Sequence, residues 1–280
     1  MNGILVVDKP NGLTSHDVVD IVRDKFDIKK VGHLGTLDPM ATGVLPLSIG
    51  RATRLARFIA SSPKEYTGRI RFGWATTTCD KEGDVLGKVQ RPNLSNEDVV
   101  PAMRGLTGPQ KQIPPAYSAK KLSGIPAYKL ARSGMVVRLK PISVEVHAFD
   151  LISLQMPYLE FKVICTGGTF IRSLARDLGE KLGTGAHLDA LRRSRSGPFI
   201  LEQAVTIDQI SGNEIIPPEE LLTDLDRIEV DSQEQESIRH GRSVACSVKG
   251  PNARIFNKKS QLIAIAIIEK GWAHPKVVLI

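Results

Sequence analysis

Cysteine is scarce in this chain. The three cysteines, Cys79, Cys165 and Cys246, lie far apart, and no CxxC or HExxH motif or paired histidine–cysteine spacing is present. An odd number of isolated cysteines argues against a disulfide framework and against a structural zinc site. We therefore expect three free, buried thiols and no bound metal.

Long apolar segments are also missing. The run at residues 4–7 is ended by Asp8 and Lys9, which is typical of a strand and not of a signal peptide. The late run at residues 262–268 is far too short to cross a bilayer. We therefore expect a cytoplasmic protein with no membrane association.

Acidic residues are scarce outside one segment. Residues 202–236 hold eleven acids and one base, a net charge of −10. The chain has 38 bases and 30 acids, so the other residues carry 37 bases and 19 acids, a net charge of +18. A body this basic suits a polyanion, and nucleic acid is favoured over the alternative of a merely soluble basic surface.

The pattern of apolar residues predicts an α+β fold. Strands are predicted at residues 3–10, 43–49, 64–73, 142–150 and 159–165. Helices are predicted at residues 15–26, around 55–59, at 95–106 with Pro101 inside, at 127–132, and after an N-terminal cap at Thr169. The elements do not alternate regularly as βαβ units, which favours α+β over a doubly wound sheet.

The end of the chain is predicted to form a small second unit. The acidic segment reads as a helix-containing connector, and short β-rich runs follow it at residues 254–256 and 262–268. We place the boundary between residues 1–225, the main domain, and residues 226–280, a small β-rich module packed on it.

The most informative segment is Gly32–Pro46, with the sequence GHLGTLDPMATGVLP. Its three glycines and two prolines predict an ordered, irregular loop. Asp38 is the only carboxylate in the loop, and a lone acid on a stiff loop is a candidate nucleophile or general base. The alternative is an ordinary turn residue whose side chain binds nearby backbone.

Two further segments carry candidate site residues. Tyr66 lies in the tripeptide Lys64-Glu65-Tyr66 on a predicted strand, where a tyrosine is usually part of the core. The segment Val163–Gly179 reads as strand, glycine turn and helix, which directs a helix N-terminus at an anion. Arg172 lies in the first turn of that helix, and the alternative role for it is a surface ion pair with Asp177.

Together these segments resemble the TruB family of tRNA pseudouridine synthases. The loop matches the family pattern G-H-x-G-T-L-D-P-x-A-T-G-V-L-P at every fixed position, and Lys64-Glu65-Tyr66 and Val163–Gly179 match two further family motifs. The opening DKPNGLTS at residues 8–15 also fits. The resemblance covers residues 4 to about 199, with a weaker match of the tail to the family's PUA-like RNA-binding module.

The resemblance implies a pseudouridine synthase fold, with a mixed, mainly antiparallel sheet flanked by helices. It implies isomerisation of uridine at position 55 in the tRNA T-loop, without a cofactor or metal. In the family's pattern Asp38 is the nucleophile, Tyr66 stacks on the target uracil and is a candidate proton acceptor, and Arg172 pairs with Asp38. Attack at C6, attack at C1′ and deprotonation of the sugar all stay open as routes.

Three more positions take a substrate-binding role through the resemblance. His33 would occupy the space of the displaced base, although a lone histidine is more often structural. Phe170 stands where the family often has tyrosine, so stacking is kept and a hydroxyl contact is lost. Leu191 would meet the base through its backbone, and on periodicity alone it is a core residue.

Two basic groups complete the site hypothesis. One resembles the family's insertion that closes over the T-arm, and it consists of Lys120, Lys121, Lys129 and Arg132. The other, at residues 51, 54 and 57, shares a predicted helix face and is equally well explained as a solvated surface.

The expected partner is the T-arm of tRNA, with no obligatory protein partner and a monomeric chain. One alternative is a guide-RNA-dependent pseudouridine synthase subunit of the archaeal or eukaryotic type, which needs protein partners. The other is a non-catalytic RNA chaperone that binds and refolds tRNA. The segment Pro114–Lys121 and the short tail argue against the first, and the complete set of Asp38, Tyr66 and Arg172 argues against the second.

Overall fold

The computed structural model describes residues 1–60, 62–122 and 124–280. Its strands are β1 (Gly3–Lys9), β2 (Val31–His33), β3 (Thr42–Ile49), β4 (Lys64–Phe72), β5 (Ala75–Thr76), β6 (Val85–Leu86), β7 (Gly108–Gln112), β8 (Lys121–Leu122), β9 (Ile125–Pro126), β10 (Ile142–Gln155), β11 (Tyr158–Cys165), β12 (Ala186–Ser196), β13 (Phe199–Ile200), β14 (Asp226–Val230), β15 (Val244–Ala245), β16 (Asn252–Asn257), β17 (Leu262–Glu269) and β18 (Trp272–Val278). Its helices are α1 (Ser15–Phe26), α2 (Ala56–Ile59), α3 (Asn96–Arg104), α4 (Ala127–Arg132), α5 (Ile171–Lys181) and α6 (Ser232–Arg239), and short 3-10 turns lie at Gly50–Leu55, Leu201–Gln203 and Pro218–Glu220.

A nine-stranded sheet forms the main domain. Seven strands follow the order β1-β3-β12-β4-β11-β10-β7, while β2 pairs with β3 and β13 pairs with β12. All of these pairs are antiparallel except β3 with β12, which run parallel. This arrangement confirms the predicted α+β fold with a mixed, mainly antiparallel sheet.

Strand alternation sorts the central strand β4 into two faces. Tyr66, Ile70 and Phe72 are buried in one core with residues of α1, α3 and α5, as expected from a period of two residues. Odd-numbered residues such as Arg69 lie on the opposite, more exposed face. The candidate tyrosine therefore points to the same face as the helices.

The chain's end forms a five-stranded sheet in the order β14-β16-β17-β18-β15, a β half-barrel. Apolar residues of this sheet, among them Phe256 and Ile265, share a buried cluster with Ile4 and Leu55 of the main domain. The module is therefore packed on the main domain through apolar contacts. The exact boundary at residue 225 stays a prediction.

The prediction that Thr169 caps a helix is wrong. The helix α5 begins at Ile171 after Phe170, and the Thr169 hydroxyl donates to the Thr166 carbonyl at 2.9 Å. The side chain of Gln112, on β7, takes over the capping role, because its Oε1 accepts the Phe170 N–H at 2.8 Å. A contact from a distant strand thus satisfies the donor that a local cap satisfies in other helices.

The acidic segment at residues 202–236 contains a helix, as predicted, but only at its end. Residues 202–225 contain no α-helix, only 3-10 turns, and two of their residues form bridges with β1, Val205 with Val7 and Ile216 with Ile4. The helix is α6, which begins at Ser232, within the last five residues of the segment, and contacts the C-terminal sheet. Helix α3 ends at Arg104, two residues before the predicted end at 106 and three after Pro101, as a proline inside a helix favours.

The arginines at positions 51, 54 and 57 do not share an α-helical face. Arg51 and Arg54 lie in the 3-10 turn, and both donate to backbone carbonyls near the C-terminus, those of Leu279 and Val278. These two side chains therefore fasten the C-terminal sheet to the main domain. Of the three free cysteines, Cys79 and Cys165 are buried as predicted, and Cys246 is only half-buried because it follows the short edge strand β15.

Among the described residues, no helix combines the length and the apolar character needed to span a membrane.

Candidate active site

The candidate nucleophile Asp38 lies on the loop between β2 and β3, and α1 fixes that loop. The Ser15 hydroxyl donates to the Leu37 carbonyl at 3.0 Å and accepts the Leu37 N–H at 2.8 Å. The buried Lys9 ammonium donates to the Pro39 carbonyl at 3.2 Å. Backbone on both sides of Asp38 is therefore held by buried polar side chains, which makes the loop rigid.

The predicted pairing of Arg172 with Asp38 is present. Arg172 Nη2 donates to Asp38 Oδ1 at 2.9 Å, and Arg172 Nε lies 2.9 Å from Asp38 Oδ2 in the same ion pair. This bidentate geometry fixes the orientation of the carboxylate. The Asp38 side chain binds Arg172, so Asp38 is not the ordinary turn residue of the first alternative. Asp177 pairs with Arg176 at 2.7 Å, so it is not the partner of Arg172 that the second alternative requires.

Arg172 is buried, with 6% of its side chain exposed, although the sequence places it off the apolar face of α5. Its remaining donors explain the burial. Nη1 donates to the Thr78 carbonyl at 3.0 Å and lies 3.3 Å from Asp80 Oδ2, and Nη2 donates to the Tyr117 carbonyl at 2.9 Å. A guanidinium with this many partners is stable in the interior.

Sequence reasoning missed Asp80 and the two carbonyl acceptors. Asp80 is buried, and its Oδ1 accepts the Thr78 hydroxyl and, at 3.0 Å, the Glu82 N–H. It lies in the turn between β5 and β6, where an Asp two residues after Thr78 and three before Gly83 reads only as a turn residue. Backbone carbonyls carry no signal in the sequence at all.

The electrostatics of Asp38 combine two opposing effects. Burial raises the pKa of the Asp38 carboxyl, the nearby Asp80 charge adds to that rise, and the Arg172 guanidinium opposes it. A third of the Asp38 side chain (33%) is nevertheless exposed. The carboxylate is therefore anchored on one side and open to a ligand on the other.

A small cavity of about 50 Å³ lies next to Asp38, and the predicted base-contacting residues line it together. Its lining includes Asp38, Tyr66, Phe170, Arg172 and Leu191. Burial raises the pKa of Tyr66, so its hydroxyl is neutral at pH 7. This volume is well below the roughly 150 Å³ of a cavity that holds a benzene ring, so a nucleobase must widen the cavity as it enters.

His33 ends β2 and is half-buried, and its Nδ1 is buried without a hydrogen-bond partner among the described residues. Burial, together with the Arg193 charge, lowers the pKa of His33, so the imidazole is neutral at pH 7. A neutral ring at the loop's base is suited to stacking or hydrogen bonding.

The predicted RNA-backbone residues are all exposed and lie around β8, β9 and α4: Lys120, Lys121, Lys129 and Arg132. They lie 3 to 15 residues after Tyr117, whose carbonyl binds Arg172. This segment therefore connects an exposed basic surface to the site.

Two family models match this chain over consecutive residues. The N-terminal domain of TruB family pseudouridylate synthases matches residues 23–171, and the C-terminal domain of tRNA pseudouridylate synthase B matches residues 172–229. The chain therefore belongs to the TruB family and is a pseudouridine synthase, an isomerase.

Relatives named tRNA pseudouridine synthase B match at high coverage. The one from Solibacter usitatus is 42% identical over 100% of both chains. The one from Opitutus terrae is 45% identical over 75% of this chain and 87% of its own.

The fold is also similar to that of a solved chain in a Cbf5-Nop10-Gar1 complex. The TM-score is 0.74 at 24% identity, covering 99% of this chain and 85% of the other. At that identity the likeness shows the pseudouridine synthase fold and nothing further.

Proposed function

We propose that this synthase converts uridine to pseudouridine at position 55 in the T-loop of tRNA, with Asp38 as the nucleophile. The observation that carries the proposal is the bidentate Arg172–Asp38 pair at 2.9 Å, placed in one cavity with Tyr66 and Leu191. The relatives' shared name, tRNA pseudouridine synthase B, supports tRNA as the substrate.

The uridine must first leave the RNA stack, because its reacting atoms are otherwise inaccessible. Flipping costs roughly a few kcal/mol and less in a loop. Phe170 and Tyr66 provide flat rings in the cavity lining, and His33 lies outside that lining at the end of β2. Stacking of bases on such rings offsets part of that cost.

The ionised Asp38 then attacks C6 of the uracil or C1′ of the ribose, or removes a proton from the sugar. The N1–C1′ bond breaks, the uracil turns, a C5–C1′ bond forms, and N1 takes up a proton. The bond from Asp38 to C6 or C1′ breaks in the same course, or the sugar takes its proton back, so the free carboxylate is returned. Loss of the C5 proton restores the aromatic ring and completes the product. All three routes require the unprotonated carboxylate, which Arg172 stabilises and orients.

The role of Tyr66 is limited by its burial, with 7% of the residue exposed. Because its pKa is raised, the phenol keeps its proton at neutral pH. The ring therefore supports the uracil by stacking, and the hydroxyl oxygen accepts the C5 proton only if its own proton leaves at the same time.

We further propose that the exposed basic segment around α4 contacts the backbone of the T-arm and that the chain acts as a monomer without a protein partner. The four cations of this segment are exposed, as salt-sensitive phosphate contacts require. The guide-RNA-dependent alternative predicts no activity of the purified chain on a bare stem-loop.

The test uses the purified chain with a T-arm stem-loop and with a matched stem-loop in which the uridine at position 55 is replaced by cytidine. We expect one pseudouridine per molecule in the first RNA and none in the second, read by carbodiimide modification and primer extension. Pseudouridine at another position in both RNAs would contradict the assigned position. Tight binding without product would favour the partner-dependent or chaperone alternatives.

A further inference from the structure

Arg193 is a buried arginine that binds the loop carrying Asp38, which we call the catalytic loop, on both sides of that residue. Only 1% of it is exposed. Its Nη2 donates to the Gly35 carbonyl at 3.0 Å, three residues before Asp38, and its Nε donates to the Val44 carbonyl at 2.7 Å, six residues after it. The two ends of the loop are thus held by one guanidinium.

The same residue also adjoins Tyr66. Strand β12 pairs with β3 on one side, placing Arg193 opposite Gly43, and with β4 on the other, placing Arg193 opposite Tyr66. The guanidinium carbon lies 6.0 Å from the centre of the Tyr66 ring. A Cβ on Gly43 would come within 2.3 Å of the Arg193 carbonyl oxygen. The start of β3, which follows the Asp38 loop, therefore packs directly on the Arg193 backbone.

The charge of Arg193 has no carboxylate partner among the ion pairs of the described ranges. Its neighbours include Lys64, whose pKa is lowered to about 8 by burial and by the Arg193 charge. Burying a cation without a counter-ion is costly. That cost is balanced by a planar fork of donors, which reaches separate carbonyls in a way that a lysine or an amide does not.

We propose that Arg193 is a positioning residue for the isomerisation. It fixes the backbone on both sides of Asp38 relative to the Tyr66 ring, so that the nucleophile and the ring meet the uracil in one geometry. This inference depends on the proposed roles of Asp38 and Tyr66, and it adds to Arg172, which orients the carboxylate itself.

The test is Arg193→Lys, which keeps the charge and loses the fork. The chain offers a matched control in Arg254, whose guanidinium donates to the Leu225 and Glu219 carbonyls at 3.2 and 3.4 Å in the C-terminal sheet. Both Arg193→Lys and Arg254→Lys remove arginine–carbonyl bonds and are expected to lower the melting temperature. Only the first removes them from the catalytic loop.

The measurements are the single-turnover rate at saturating T-arm stem-loop, the Kd for that RNA and the melting temperature. We expect Arg193→Lys to lower the rate by about 10- to 100-fold, the scale of a small misplacement of reacting groups, with Kd changed by less than about twofold. We expect Arg254→Lys to keep the wild-type rate. Asp38→Asn, run alongside, reports on the proposed function separately, because its activity is lost whether or not Arg193 has a positioning role.

A wild-type rate for Arg193→Lys would overturn the proposal. An equal loss of rate in Arg254→Lys, or a loss explained by weaker RNA binding, would also overturn it. If Arg193→Lys does not fold, Arg193→Gln is measured instead, because its planar amide still donates to one carbonyl. If neither variant folds, Arg193 is a structural residue and the proposal is wrong.

Discussion

Replacing Arg172 by lysine separates charge from geometry at the candidate active site. The arginine contacts both oxygens of Asp38 at 2.9 Å, one of them by a hydrogen bond from Nη2, and it donates to the Thr78 and Tyr117 carbonyls at 3.0 and 2.9 Å. A lysine in its place keeps the positive charge but offers a single point contact, so at least one charge-assisted bond to Asp38 is lost. A bond of that kind contributes about 1.5–3 kcal/mol.

That loss corresponds to a rate reduction of roughly 10- to 150-fold if the bond persists into the transition state. The assay is the single-turnover rate of pseudouridine formation with saturating T-arm stem-loop, and Arg172→Ala is expected to lose most of the activity. The control is Arg176→Lys, because Arg176 follows on the same helix and binds Asp177 and not Asp38. A near-normal rate for Arg172→Lys would show that orientation of the carboxylate by the guanidinium fork does not limit catalysis.

Three further predictions test the surroundings of the site. Burial and the Asp80 charge raise the pKa of Asp38 above its usual value of about 3.9. Because the ionised carboxylate reacts, the rate falls as the pH decreases through this raised pKa. Asp80→Asn is expected to move this acidic side of the pH–rate profile to lower pH, and an unmoved profile would contradict its assignment to Asp38. Ser15→Ala leaves the Leu37 N–H and carbonyl without their partner, which costs about 1–3 kcal/mol of unfolding free energy, and unchanged urea denaturation would refute the role of Ser15 in holding the loop. The third prediction replaces each of the exposed cations of the α4 segment by glutamine: Lys120, Lys121, Lys129 and Arg132. RNA binding weakens, and the slope of log Kd against log salt concentration falls by about 0.7–0.9 per lost phosphate contact, while the rate at saturating RNA stays the same. An unchanged slope would show that these residues do not contact the RNA.

The sequence alone predicted the features that depend on a local pattern of residues. The glycines and prolines around Asp38 predicted an irregular loop, which the structure has at residues 34–41 between β2 and β3. Tyr66 is a core residue of β4, as its place on a predicted strand indicated. The five strands predicted in the main domain are all present, although β10 extends to Gln155, five residues beyond the predicted end, and the central strand β12 at Ala186–Ser196 was not predicted. Family resemblance supplied the pairing of Arg172 with Asp38, which no spacing along the chain indicates.

The rest of the site depends on contacts between segments far apart in the chain. Asp80 and the Tyr117 carbonyl reach Arg172 from loops with no signal of their own. Gln112 replaces the expected Thr169 cap from a strand about 60 residues away. Arg193 reads as one of several basic residues in a segment without a predicted element, and only the packing of β12 between β3 and β4 shows that it contacts the Asp38 loop. Such contacts are decided by tertiary packing, which overrides local preference.

The central claim is that Asp38 carries out the isomerisation of a T-loop uridine. Its most direct test is tritium release from C5-labelled uridine in a T-arm stem-loop, with wild type and Asp38→Asn compared at equal RNA occupancy. The account predicts release by the wild type and none by Asp38→Asn, with the Kd for RNA unchanged. Release by Asp38→Asn above a trace would contradict the claim, and it would remove Asp38 from the role of nucleophile.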